Sequence, residues 1–164
     1  MTEDVEVQAE SSPTDWFNIG AAPANVQLPD DGYTTRIVSN LGTDVHQYTL
    51  QANTIPAGST VNSVTLHFRA IGVTGGGSIR PRLYLAGNYS DGADTPVSAA
   101  AFADYDVTIT RPGGGAWALA DLTTLEVALR NLTPGDYTSV TTVYAIIDYT
   151  PAAAGAAGDM LLLF

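Results

Sequence analysis

The chain has 164 residues, of which 17 are acidic and six are basic, and its formal net charge is −11. This balance argues against nucleic acid and against an anionic membrane surface as partners, because both are held by basic side chains that face phosphates. The sequence has no cysteine and only two histidines, which excludes disulfides, thiolate metal sites and a three-histidine zinc site. No segment has the pattern of a transmembrane helix or of a secretory signal, so we expect a chain that stays in the cytoplasm unless an assembly carries it out.

Residues 1–29 predict an acidic, extended N-terminal arm. The segment contains several acids and prolines but no base, and we find no apolar repeat of period 2 or 3.6 in it. It therefore cannot bury enough apolar surface by itself to offset the conformational entropy that it would lose on becoming ordered. Trp16, Phe17 and Ile19 form a compact apolar anchor, and aromatic anchors dominate many contacts between proteins. We expect the arm to lie along a neighbouring molecule or along its own sheet with this anchor as the docking plug. An unanchored tail is the alternative.

Residues 30–151 have the pattern of a β domain. Short runs rich in Thr, Val, Ile and Tyr alternate with turns that contain Gly and Pro. The pattern predicts an antiparallel β-sandwich or jelly roll of about seven to eight strands, with a small barrel as a related possibility. Strands are predicted at 33–39, 45–51, 61–71, 78–87, 105–110, 124–132 and 138–149, with a polar loop at 88–96 and one helical turn at 117–122.

Three of these predicted strands carry further information. In 61–71, Val64, Leu66 and Phe68 share the face predicted to meet the core, which places His67 on the opposite face as a surface histidine. Pro81 has no N–H to donate, so the strand 78–87 should be an edge strand or should bulge there. The run 138–149 has apolar residues on both faces, which indicates a central strand covered on both sides.

The C-terminal residues 152–164 predict an Ala/Gly spacer followed by an apolar tip. An exposed apolar tip favours association, and each buried Leu or Phe contributes about 1.5–3 kcal/mol. We expect the tip to insert into a neighbouring subunit, with folding back into its own chain as the alternative. The tip consists of Leu161, Leu162, Leu163 and Phe164.

No catalytic, cofactor or metal site is predicted. His46 and His67 are the only imidazole bases for a serine nucleophile, and the sequence has no Gly-x-Ser-x-Gly turn. Pairs of carboxylates at glycosidase spacing arise by chance in any acidic sandwich. A calcium ion is the open alternative, since it binds carboxylate oxygens, but the spacing of a calcium loop is absent. The carboxylates that could contribute to such a site are Asp91, Asp94, Asp104 and Asp106.

A sugar-binding site is harder to dismiss, because jelly rolls often carry aromatic platforms for sugars. Aromatic side chains at the core or at the rim of a sandwich are the competing interpretation. The candidate platform residues are Tyr33, Tyr84, Tyr89, Trp117 and Tyr137.

Four pieces of the sequence resemble a group of β-sandwich proteins found in the virions of tailed bacteriophages. The pieces are DDGYTT at 30–35, IPAGSTVNSVTLHFRA at 55–70, GAWALADLTTLEVALR at 115–130 and VTTVYAIIDYTP at 140–151. The third piece is similar to that group's element of a tryptophan, a short turn and a strand. The resemblance covers about three quarters of the chain and implies a fold and a virion setting rather than a reaction.

The sequence therefore favours a non-enzymatic virion protein, in particular a capsid decoration or head auxiliary protein that bridges shell subunits and stabilises them by mass action. Its partners would be the major capsid protein or other virion subunits, and further copies of itself, with a trimer favoured. The arm anchor and the apolar tip are the expected interface. The alternative is a tail or fibre module, or another jelly-roll module, that binds a glycan for host recognition.

Overall fold

The computed structural model describes residues 1–14, 16–19, 36–39, 44–73, 75–135 and 137–153. Within these ranges the chain is almost entirely antiparallel β-structure, which confirms the predicted fold class. The same ranges contain no helix that is long and apolar enough to cross a membrane.

In the described ranges the chain forms eleven strands and one 3₁₀ turn, Leu119–Thr123, which overlaps the predicted helical turn. The strands are β1 (Thr2–Thr14), β2 (Phe17–Ile19), β3 (Arg36–Ser39), β4 (Val45–Leu50), β5 (Thr60–Gly72), β6 (Gly77–Leu85), β7 (Asn88–Asp91), β8 (Thr95–Val97), β9 (Ala103–Ile109), β10 (Glu126–Asn131) and β11 (Thr138–Thr150).

The strands form two sheets that share β1. Sheet 1 contains β2, β3, β11, β5 and β9, and it also holds the first half of β1, which pairs with β11. Sheet 2 contains the second half of β1, then β4, β10 and β6, and β7 and β8 follow each other along the far edge of β6, where they pair with its second and first halves. As predicted, β11 is central, since β5 lies on one side of it and β1 and β3 lie on the other.

Over its first half the predicted arm lies along its own sheet, one of the two expected placements, because Thr2–Thr14 is a strand of the sandwich itself. Val5 and Val7 are buried in the core, and they alternate with Asp4 and Glu6 on the opposite face. This short period-2 pattern is typical of a half-buried strand. The high acid content hid the pattern, because only every second position faces the core and the others can stay charged.

The core lies between the sheets and is filled by alternate residues of facing strands. Val64, Leu66 and Phe68 of β5 have no exposed surface, which confirms the predicted inward face of that strand. Leu83 of β6 and Leu129 of β10 are buried to the same extent on the side of sheet 2. Arg80, Arg82 and Tyr84 of β6 and Glu126 and Arg130 of β10 must therefore point away from the core, because successive side chains of a strand alternate between its faces.

Pro81 does not make β6 an edge strand or a bulge, contrary to the prediction. β6 pairs with β10 in continuous register through Pro81, which lies opposite Leu129. The carbonyl of Pro81 accepts the N–H of Gly92 at 2.8 Å. In an antiparallel strand the N and the carbonyl of one residue point to the same side, so the missing N–H of Pro81 faces the gap between β7 and β8. No bond to β10 is lost.

The segment predicted as a polar loop at 88–96 contains the two short strands β7 and β8. The turn between β6 and β7 is Ala86-Gly87, whose φ angles are +51° and +79°. Two left-handed residues match the tight hairpin turn whose twist suits antiparallel strands. Asparagine, aspartate or glycine is usual at the first position, so the alanine concealed the hairpin in the sequence.

Candidate functional site

The outward side of sheet 2 carries a cluster of tyrosines, arginines and acids. Ile79 and Leu83 point into the core, so Arg80, Arg82 and Tyr84 point away from it. Strand pairing then adds residues from β4, β7 and β10 to the same side. We call this cluster the tyrosine–arginine face and define it as Gln47, Arg80, Arg82, Tyr84, Tyr89, Asp91, Asp94, Glu126 and Arg130.

Two tyrosines form the aromatic part of the face. Tyr84 and Tyr89 lie opposite each other in the β6–β7 pairing, and their ring centroids are 6.0 Å apart with planes tilted by 50°. Tyr89 is 58% exposed, which is unusual for so large a ring. A broad apolar ring surface therefore faces solvent next to a second ring.

Arg82 is held firmly beneath these rings. Its guanidinium carbon lies 4.1 Å from the ring centroid of Tyr89, a cation–π distance. Its Nε and Nη2 donate to the two carboxylate oxygens of Asp91 at 2.5 and 3.1 Å, and Nη1 donates to the Tyr84 hydroxyl at 3.1 Å. The hydrogen bond to Asp91 is the main reason why the pKa of Arg82 is raised above its ordinary value.

Arg80, two residues before Arg82 in β6, makes an equivalent bidentate pair with Asp94. Its Nε and Nη2 donate to the carboxylate of Asp94 at 2.5 and 2.9 Å. This hydrogen bonding is the principal cause that lowers the pKa of Asp94 below its ordinary value. Both aspartates belong to the segment after the Ala86-Gly87 turn, so the two bidentate pairs fix that segment against β6.

Gln47 and Glu126 extend the face toward β4. The Nε2 amide of Gln47 donates to the Glu126 carboxylate at 2.8 Å, across the β4–β10 pairing. Gln47 is buried, which restricts its amide to this orientation. The face thus combines an exposed aromatic surface with planar polar groups whose positions are fixed by their own hydrogen bonds. A pyranose ring has the complementary surface, because its C–H faces are apolar and its edges carry hydroxyls.

The outward side of sheet 1 has a different character. His67 lies on the outward face, as predicted, but its side chain is only 12% exposed. Its Nδ1 is 2.7 Å from Asp106 Oδ1, and its ring stacks on Tyr144 with centroids 4.4 Å apart. Arg69 pairs with Asp104 at 3.2 Å in the next row. This side presents cross-strand ion pairs.

The structure does not bring the four candidate calcium carboxylates together. Asp91 and Asp94 lie on the outward side of sheet 2, whereas Asp104 and Asp106 lie on the outward side of sheet 1. Each of the four contacts an arginine or a histidine. Over the described ranges, no three carboxylate, histidine or cysteine side chains form a group that could hold a metal ion.

The predicted interface residues fall in three different situations. Trp16 is 3% exposed and belongs to the core of its own chain, so its ring does not present a free surface to a neighbour. The backbone of Phe17 and of Ile19 pairs with β3. The tip residues 161–164 lie outside the described residues, so the interface assigned to them stays a prediction, as do the virion setting and the trimer.

Of the five predicted platform aromatics, the structure unites Tyr84 and Tyr89. Trp117 packs against the core, Tyr137 is exposed elsewhere, and Tyr33 lies outside the described residues. Sequence reasoning missed the partners of the two tyrosines. The alternation in β6 already placed Arg80 and Arg82 beside Tyr84, but only the unrecognised hairpin brings the two aspartates to them.

A cleft of about 610 Å³ lies apart from this face, between the end of β4 and the 3₁₀ turn. It contains neither a charged nor an aromatic side chain, so it lacks the stacking surface and the bidentate groups found on the tyrosine–arginine face. Its lining consists of Gln8, Leu50, Gln51, Ala52, Asn53, Leu119, Ala120, Leu122 and Thr123.

Comparison by sequence finds no relative, since no protein-family model and no curated protein matches the chain. Comparison by structure finds similar folds. The C-terminal CBM6 module of LamC, a marine laminarinase from Zobellia galactanivorans, superposes with a TM-score of 0.54 at 12% identity, over 90% of this chain and 100% of the module.

Two other carbohydrate-binding proteins align less closely. CBM29-2, a family 29 carbohydrate-binding module solved with mannohexaose, has a TM-score of 0.49 at 11% identity, with 93% of each chain covered. The CBM22-1 xylan-binding domain of Paenibacillus barcinonensis Xyn10C has a TM-score of 0.48 at 9% identity, over 92% of this chain and 95% of that domain. Identities this low carry no function across. The likeness to the LamC module shows that this chain has a β-sandwich jelly-roll fold.

Proposed function

We propose that this chain is a non-enzymatic carbohydrate-binding protein and that the tyrosine–arginine face is its binding site. One observation carries the proposal: Tyr89 is largely exposed directly above an arginine that is fixed by a bidentate ion pair. A solvated surface loop has no structural need for that arrangement. It suits a ligand that offers an apolar ring face together with hydroxyl groups.

Binding would draw on both parts of the face. A sugar ring stacked on Tyr89 removes apolar surface of both molecules from water, at about 25 cal/mol for each Å² buried. The hydroxyls of that sugar and of its neighbours hydrogen-bond to the guanidinium, carboxylate and amide groups of Arg82, Asp91 and Gln47. These groups are already ordered by their mutual contacts, so little conformational entropy is lost when the ligand binds.

The pKa of Asp94 supports a binding role for this face rather than hydrolysis. A glycosidase needs one carboxylic acid that stays protonated near neutral pH, which requires a raised pKa. Here Asp91 and Asp94 accept hydrogen bonds from arginines and Glu126 accepts one from Gln47. The pKa of Asp94 is lowered, chiefly by the hydrogen bond from Arg80, so this acid is ionised and cannot donate a proton.

A glycan array tests the proposal with one variant and one matched control. We expect the wild-type protein to bind at least one class of polysaccharide and Tyr89→Ala to lose most of that binding. Tyr137→Ala removes another exposed tyrosine, 45% exposed and away from the face, and should bind like the wild type. Failure of the wild type to bind any glycan, or full binding by a folded Tyr89→Ala variant, would contradict the proposal.

A further inference from the structure

Half of the basic residues of this acidic chain lie on the tyrosine–arginine face. The chain has six basic residues against 17 acids, and Arg80, Arg82 and Arg130 occupy outward positions of the neighbouring strands β6 and β10. The outward side of sheet 1 is more acidic, since Asp4, Asp104, Asp106 and Asp148 share it with Arg36, Arg69 and His67, whereas the tyrosine–arginine face has as many arginines as acids. An anionic ligand would therefore meet less repulsion on sheet 2 than on sheet 1.

Two of the three arginines already have a structural partner. Arg80 and Arg82 hold Asp94 and Asp91 through bidentate pairs. Arg130 differs, because none of the described residues forms a hydrogen bond or an ion pair with its side chain. The charge of Arg130 helps to lower the pKa of Asp94, but it contributes less than the hydrogen bond from Arg80.

The position of Arg130 makes this lack of a partner informative. Arg130 lies directly opposite Arg80 in the β10–β6 pairing, and the bidentate pair with Asp94 already engages the charge of Arg80. The charge of Arg130 has no such hydrogen-bonded partner among the described residues, and the planar fork of a guanidinium matches a carboxylate or a sulfate. Arg130 is half-buried rather than extended into solvent, so its position is defined for a ligand.

We infer that Arg130 is a specificity-determining residue of the proposed binding site and selects glycans that carry an anionic substituent, the carboxylate of a uronic acid or a sulfate ester. The inference rests on the proposed carbohydrate-binding function. Arg130 and Glu126, the neighbour of Tyr84, belong to the same strand. Four residues of a strand span about 13 Å. The anionic sugar is therefore further along the glycan than the sugar stacked on the tyrosines, and the ligand is an oligosaccharide.

Isothermal titration calorimetry with matched pairs of ligands tests the inference. Polygalacturonate is compared with its methyl ester, and a sulfated galactan with its desulfated form, so that the carboxylate and sulfate sources are distinguished. We expect the wild-type protein to bind the charged member of at least one pair about tenfold more tightly, a ratio that corresponds to about 1.4 kcal/mol. Added salt should reduce the preference.

Two variants assign the effect to Arg130. Arg130→Gln should bind the two members of each pair with equal affinity, and Arg69→Gln, on the outward side of sheet 1, should keep the preference. Equal affinities within both pairs, binding of neutral glycans alone, or a preference that survives in Arg130→Gln would overturn the inference. If Tyr89→Ala still abolishes binding in those cases, the proposed function stands without it. If no glycan binds at all, both are wrong.

Discussion

The substitution Gly92→Ala tests how tightly the segment that carries Asp91 and Asp94 is seated on the sandwich. A methyl group added at Gly92 would lie 2.7 Å from Val107 Cγ1, 2.9 Å from Pro81 Cγ and 3.1 Å from Ile109 Cγ1. Carbon atoms in proteins approach to about 3.5–4.0 Å, so the segment or its neighbours must move. All three neighbours are branched or cyclic side chains of strands and have little freedom to turn aside.

We expect Gly92→Ala to lower the free energy of unfolding by about 1–3 kcal/mol, the usual effect of overpacking. Urea denaturation followed by circular dichroism measures the change. The double variant Gly92→Ala/Val107→Ala removes the nearest obstructing atom and should be more stable than the sum of the two single effects predicts. Ala93→Ser, at the adjacent exposed position, is the control and should change stability by less than about 0.5 kcal/mol. An unchanged unfolding free energy in Gly92→Ala would refute the close packing described here.

Three further outcomes follow from the fold and the site. Val7→Ala should lower the free energy of unfolding by about 1–3 kcal/mol, because Val7 is fully buried. Gln8→Ala, at the adjacent exposed position, should leave it unchanged. If denaturation shows the same loss of stability for both variants, β1 is not a strand of the sandwich. The pKa of Asp121 is lowered, chiefly by its hydrogen bond from Arg111, so the contribution of Asp121 to stability should be constant above its ordinary pKa of 3.8 and should fall as the pH drops below it. Thermal melting at a series of pH values should show a weaker acid dependence for Asp121→Asn, and a pH profile identical to that of the wild type would contradict this role of Asp121. Ala120→Trp should fill the cleft beside the 3₁₀ turn without changing glycan affinity, and a loss of binding would move the site to that cleft.

The fold could be predicted from the sequence wherever alternation was strong and local. The run around Leu66 and Phe68 and the central strand β11 followed directly from the period of their apolar residues. β1 was missed because acids fill its outward positions, and β7 was missed because its turn begins with Ala86 rather than with Asn or Asp. β1 pairs with the distant strands β11 and β4, and β7 pairs with its neighbour β6, and in both cases sheet pairing outweighs a weak local signal.

The candidate site could be predicted only in fragments. Tyr84 and Tyr89 were recognised as aromatic candidates, but their common location depends on the register of a hairpin. The bond between Gln47 and Glu126 joins residues 79 positions apart, and no sequence pattern reports such a pairing. Trp16 is recognisable from the sequence as an apolar anchor in a polar segment, but only the fold shows that this anchor docks in the core of its own chain.

Backbone chemical-shift mapping by ¹⁵N NMR tests the proposed binding site most directly. A glycan selected from the array is titrated into the labelled protein, and the shift of each amide is followed. We expect the perturbed amides to be those of β6, β7 and the neighbouring part of β10, centred on Arg82 and Tyr89, with the amides around His67 unchanged. Perturbations confined to the outward side of sheet 1 or to the cleft beside the 3₁₀ turn would contradict the assignment of the tyrosine–arginine face.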